Sequence, residues 1–167
     1  TNAQSRALEE ALRRRNLPYM IYSGNSFFER AEVKDMMAYF KLVVNVNDDE
    51  SFKRIVNKPA RGIGDTSLSA LTAAASHNKL PLFKAAYGND LENYGLKPPA
   101  IKKIREFCDM IGKLCRRANT EDAHRIAVDI AQESGLYLFY KSDTSIEGQS
   151  RTANVEELLN AVNLHIE

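Results

Sequence analysis

Apolar residues recur at helical spacing along most of the chain. Over 3–15, Ala7, Leu8, Ala11 and Leu12 form one stripe, while Glu9 and Glu10 precede Arg13 and Arg14 on the other side, an order that supports an exposed helix face. Asn16-Leu17-Pro18 ends this helix, and Tyr19-Met20-Ile21-Tyr22, stopped by Ser23-Gly24, is the one strand that the pattern predicts. Ser26 and Glu29 have the form of a capping box, and Phe28, Val33, Met36, Met37, Phe40 and Val44 carry a long helix to about 46. Asn47-Asp48-Asp49-Glu50 is a turn with N-cap candidates for a second helix over 49–56, which Lys58-Pro59 halts. A further helix runs through Leu68, Leu71 and Ala75, and helices resume near Leu82 and over 99–117, 120–134 and 153–166.

The fold class that follows is mainly α, a helical domain with one short N-terminal strand left from an α/β layer. The boundary falls at the glycine before the long helix, giving 1–23 as a fragment of one domain and 24–167 as the helical domain. No repeat or long linker divides the rest. The opening Thr1, without a charged-then-apolar leader, suggests a piece of something longer that carries no secretory signal.

Apolar residues make up 44% and charged residues 27% of the chain, with both signs mixed, which is the composition of a globular domain and not of a disordered tail. The longest apolar stretch, 36–46, is broken by Lys41 and Asn45 and is shorter than the roughly 20 residues a membrane span needs. Cys108 and Cys115 lack the close pairing of a zinc site; as reduced, buried or half-buried thiols they suit the cytoplasm. With a net charge of only +1, any nucleic-acid contact must be local.

The sharpest local signal is Pro59-Ala60-Arg61-Gly62-Ile63-Gly64-Asp65-Thr66-Ser67. Two glycines around one apolar residue allow a tight turn and close approach of a ligand, and Ile63 can pin the turn to the core. The next helix begins with unpaired N–H groups and a positive dipole end, Thr66 and Ser67 add hydroxyls, and Arg61 brings a charge, so a phosphate would be stabilised there. Gly-x-Gly taken alone slightly favours an ordinary tight turn between helices. Arg30 and Lys34, four apart, place two cations on one helix face beside Phe27 and Phe28; as bare chemistry this suits a solvated face better than a phosphate site.

Catalysis finds little support. The chain has no Gly-x-x-x-x-Gly-Lys-Ser/Thr loop, no His-Glu-x-x-His and no Gly-x-Ser-x-Gly. His77, His124 and His165 are scattered and read as surface or helix-end residues, and Asp48-Asp49-Glu50 is not followed by the ligand pattern of a calcium loop. Neither a catalytic nor a metal-ligating set is expected.

The motifs nevertheless form an ordered series. Asn2-Ala3-Gln4-Ser5-Arg6, Leu8-Glu9-Glu10-Ala11-Leu12, Pro18-Tyr19, Gly24-x-x-Phe27-Phe28-Glu29-Arg30-x-Glu32-Val33-Lys34-Asp35-x-x-Ala38-Tyr39, Asn47-x-Asp49, Val56-Asn57-x-Pro59, Arg61-Gly62-Ile63-Gly64, Ser134-Gly135 and Gln149-Ser150-Arg151-x-x-Asn154-x-x-Glu157-Leu158 follow one another through nearly the whole chain, with a weak stretch over 80–133. In this the sequence resembles the UvrD/Rep/PcrA family of superfamily 1 helicases. The resemblance implies that the first part, to about Tyr22, belongs to the RecA-like domain 2A and the remainder to the helical 2B sub-domain. It implies a parent enzyme that moves 3′ to 5′ on single-stranded DNA with ATP and Mg²⁺, whose 2B sub-domain contacts duplex DNA at the fork through elements including the Gly62-Ile63-Gly64 turn and rotates between open and closed positions. Ser67 stands where relatives often have Thr, which keeps the hydroxyl. Asn2, Gln4, Ser5 and Arg6 match the 2A surface near the single strand, although the Tyr-Arg pair usual before them is absent. The nucleotide and Mg²⁺ motifs are expected elsewhere in the parent.

Two readings follow: a duplex-contacting, regulatory module of a helicase used in repair or replication, and a helical interaction module that recruits repair proteins. A phosphate site demands salt-dependent DNA affinity that depends on the glycine turn, whereas a partner site demands an exposed apolar patch elsewhere.

Overall fold

A computed structural model describes Leu8 and residues 26–166, with side chains to Val162. Leu8 is helical and buried at 1% exposure. The expected strand over 19–22 lies outside the described residues; among these the fold is helical throughout.

Helices are numbered from Ala31: α1 is Ala31–Val44, α2 Asp49–Ile55, α3 Asp65–Asn78, α4 Leu82–Ala85, α5 Pro98–Arg117, α6 Ala123–Glu133, α7 Leu136–Lys141 and α8 Ile146–Ile166. Short 3₁₀ turns lie at Phe27–Glu29 and Leu91–Tyr94. The helix expected from 26 therefore starts later, at Ala31. Ser26 makes no side-chain capping bond to the 3₁₀ turn, and Arg30, extended at ψ 139°, is the N-cap of α1. Further along, Asp48 accepts from the Ser51 N–H and Asp122 from the Arg125 N–H, so α2 and α6 have side-chain caps and α6 begins three residues after the expected 120. Helix α8 starts at Ile146, earlier than the expected 153, and α7 was not anticipated. Six residues are too few to display a helical period.

Helix α1 is the centre, packed against α2, α5, α6 and α8. It is buried on most of its surface, with Val33, Met36, Tyr39, Phe40, Leu42 and Val43 fully enclosed and only Ala31, Lys34 and Lys41 exposed. Phe52 of α2 meets Phe107 of α5 edge to face at 5.4 Å. Two carboxylates of α1 are also enclosed, and each is satisfied. Glu32 accepts from the Asn154 side chain of α8 at 2.7 Å; Asp35 accepts from Arg54 at 2.8 Å and from the Tyr140 hydroxyl of α7 at 2.9 Å. A buried acid with a fixed set of donors ties together helices that are distant in sequence.

Candidate nucleic-acid interface

The chain leaves α2 through Val56-Asn57-Lys58, passes the cis Lys58-Pro59 bond, and turns at Arg61-Gly62-Ile63-Gly64 into α3. Three side chains set the turn. Ile63 is buried at 2% exposure and anchors its apex in the core, as its position between the glycines suggested. The Asn57 Oδ1 accepts from the Arg61 N–H at 2.6 Å and from the Ile63 N–H at 3.1 Å. One amide oxygen thus holds alternate residues of the loop.

The third is Arg61. Its guanidinium points inward: Nη1 faces the carbonyls of Ile55, Val56, Lys58 and Pro59 at 3.1 to 3.4 Å, and Nη2 donates to the Ser134 carbonyl and the Tyr39 hydroxyl at 2.7 Å each. The cation lies 4.9 Å from the Phe107 ring centroid. Tyr39 in turn donates to the Lys58 carbonyl at 2.5 Å, and burial pushes its phenol up to about 12 against the pull of Arg61. The charge that the sequence placed beside a phosphate is engaged instead with backbone dipoles and aromatic faces. Arg61 builds the turn.

The two glycines have different reasons to be there. Gly62 has φ +79°, a left-handed conformation costly to other residues, and a Cβ on it would lie 2.9 Å from the Lys103 Nζ of α5. Gly64 has φ −82° and ψ −177°, ordinary extended backbone, and a Cβ there would meet nothing within 4 Å. Gly64 is the N-cap of α3 without a capping side chain, so the first N–H groups of this helix receive no side-chain cap from it. Asp65 and Thr66 are exposed and Ser67 is half-buried; the Asp65 carboxylate sits where it also complements the helix dipole.

Arg30 and Lys34 are exposed at the start of α1, where the Lys34 Nζ lies 3.3 Å from Glu29. Among the described residues no hydrogen bond or ion pair joins them to the glycine turn. The nearer link is Asp35, one residue on from Lys34, which pairs with Arg54 and stands 3.8 Å from the Lys58 Nζ. Asn2, Gln4, Ser5 and Arg6 lie outside the described residues. No group of three or more His, Cys, Asp or Glu side chains suited to a metal occurs among the described residues. No described helix is long and apolar enough to cross a membrane. Cys108 and Cys115 are both free thiols of α5, the first buried and the second half-buried.

This turn is embedded in a sequence whose residues 1–163 match the family described as the UvrD-like helicase C-terminal domain. The chain belongs to this family. It is 38% identical over 161 residues to DNA helicase II of Escherichia coli (strain K12), covering 96% of the chain and 22% of that protein. It is 37% identical over 161 residues to DNA helicase II of Salmonella typhimurium, with the same coverage of 96% and 22%. To the ATP-dependent DNA helicase PcrA of Staphylococcus aureus (strain Mu50) it is 32% identical over 159 residues, covering 95% of the chain and 22% of that protein. The chain therefore spans about a fifth of the length of these relatives.

Within this UvrD-like chain, several residues of the ordered motifs have structural work. Glu32 and Asn154 bond each other, Asp35 gathers Arg54 and Tyr140, and Ser134 receives Arg61. Gly135 has φ +83°, and a Cβ on it would lie 3.4 Å from Pro59, so the Ser-Gly pair turns the chain past the same loop. Sequence reasoning assigned no part in the site to Asn57 or Lys103. The Asn57 spacing to Arg61 was visible, but nothing marks Lys103 before α5 is laid across the turn.

Proposed function

We propose that this chain is the duplex-contacting, regulatory 2B-type sub-domain of a 3′–5′ ATP-dependent DNA helicase, with 1–23 belonging to the RecA-like domain 2A and 24–167 to 2B. Membership of the UvrD-like family supports the enzyme class, and one structural observation carries the contact: the turn before α3 is rigid behind and open in front. Ile63, Asn57 and Arg61 fix it from the core side, while the direction in which a Gly64 side chain would project is empty, so a phosphate can approach the backbone and the start of α3. Thr66 and Ser67 flank that approach. Such contacts position a duplex and leave its bases unread. Arg30 and Lys34 belong to a second exposed face at the start of α1, and Asn2, Gln4, Ser5 and Arg6 to the surface near the single strand.

ATP and Mg²⁺ serve the parent protein. The sequence has no phosphate-binding loop and the described residues no suitable acidic cluster, so this reading places both groups on other parts of that protein. DNA at a single-strand/duplex junction, the remaining helicase chain and cytoplasmic repair proteins are the partners this reading implies. Exposed Leu138 and Phe139 on α7, at 65% and 46%, give the repair-partner reading its own surface.

The test is Gly64→Val in the full-length protein, assayed for junction binding and single-strand-stimulated ATPase on one folded sample. Valine should weaken junction affinity and largely spare the ATPase. Unchanged affinity across a salt series would defeat the phosphate-turn reading and favour the partner surface.

A further inference from the structure

With Arg61 turned inward, the turn needs its cation from elsewhere. Lys103 sits on α5, and its side chain crosses Gly62: the space of a Cβ there lies 2.9 Å from Nζ and 3.4 Å from Cδ and Cε. Lys103 is exposed and forms no ion pair among the described residues, whereas neighbouring Lys102 reaches Glu106 at 4.0 Å. The other lysine of the loop, Lys58, is drawn to Asp35 at 3.8 Å and to the Phe139 ring at 5.4 Å. Asp65, exposed at the first position of α3, would oppose an anion unless a cation offset it.

We propose that Lys103 is the phosphate-binding cation of the glycine turn, its ammonium contacting the DNA backbone phosphate that the Gly62–Gly64 backbone and the start of α3 approach. This rests on the duplex-contacting reading of the turn and names a residue from another helix as its charge. The absence of a side chain at Gly62 gives the ammonium room above the loop, and the long flexible stem lets it follow the phosphate. A point charge of this kind adds affinity without base preference.

The experiment measures binding of the full-length protein to a fluorescent single-strand/duplex junction over a salt series, for Lys103→Ala, Lys103→Arg and Gly64→Val beside the parent. Removing one phosphate contact should lower the slope of log affinity against log salt by about 0.9 and weaken binding roughly fivefold or more at low salt, with the curves converging at high salt. Lys103→Arg should restore the slope. The exposed position makes all Lys103 variants compatible with the fold, and urea unfolding checks this. If Gly64→Val weakens binding while Lys103→Ala leaves affinity and slope unchanged, the turn binds DNA without Lys103 and the inference is overturned alone. If neither variant changes binding, both it and the reading beneath it fall. A loss in Lys103→Ala with an unchanged slope also overturns it, because an ionic contact must release counterions.

Discussion

The Arg61 guanidinium donates to the Ser134 carbonyl at 2.7 Å, closing the loop before α3 onto the junction of α6 and α7. The two residues are 73 positions apart, and the same guanidinium reaches the Tyr39 hydroxyl of α1. A single side chain therefore fixes the shape of the glycine turn relative to three other helices.

Replacing Arg61 should damage the fold. Arg61→Ala leaves several partly buried carbonyls and the Tyr39 oxygen without their donor, and about 3 kcal/mol of stability should be lost. Arg61→Lys should rescue little, since an ammonium cannot span the same acceptors or stack on Phe107. Urea denaturation followed by circular dichroism measures both; an Arg61→Lys protein as stable as the parent would refute the clamp.

The glycines should separate in a stability assay. Gly62→Ala forces a side chain into φ +79° and against Lys103, at a cost of about 1–2 kcal/mol. Gly64→Ala meets neither strain nor a neighbour and should change stability by less than about 0.5 kcal/mol. Of the two, only Gly62 has a positive φ; at Gly64 the backbone is ordinary extended chain. Thermal melts of the two variants side by side decide the point.

Lys79 offers a stabilising change. It ends α3 at φ 56°, the only described non-glycine residue in the left-handed region. Lys79→Gly should gain roughly 0.5–1 kcal/mol, since a glycine at this helix end relieves the Cβ contact while giving back part of the gain in chain entropy. A melting temperature equal to or below that of the parent would count against this account of the cap.

Alkaline stability should fall before the bulk of the lysines titrate. Burial raises the Cys108 thiol from its ordinary 9.0 to about 12 and the Tyr39 phenol from 10.0 to about 12. Both folded values exceed the unfolded ones, so the unfolded chain loses these protons first. The stability tied to their protonated forms is whole below about 9 and drains as pH rises toward 12. Cys108→Ala should flatten the lower part of this decline, and alkylation of Cys108 at pH 8 should follow unfolding and not surface collision.

Much of the helical framework was legible because α1 and α5 are long enough to show their period and because glycine and proline mark the breaks around the turn. The glycine turn, the burial of Ile63 and two free thiols that are buried or half-buried could be read directly, whereas which cysteine is the deeper could not. Starts of helices were less visible: the Ser26/Glu29 pattern resembles a cap, yet the chain makes a 3₁₀ turn and begins α1 from Arg30. The direction of Arg61 was out of reach, since an arginine beside a glycine turn looks like a phosphate ligand until Tyr39 and Ser134 are brought to it from other helices. Lys103 was hidden for the same reason, its neighbour Gly62 being close only in space.

Arg61 is balanced by carbonyl dipoles and a phenol, with no carboxylate in direct contact among the described residues. Dissolved ions weaken the attraction between two exposed charges far more than they weaken short bonds from a sheltered cation to backbone oxygens. The loop should therefore keep its shape in brine. Salt strong enough to screen the surface charges would leave the turn as it is, ready to act again on dilution without any refolding step.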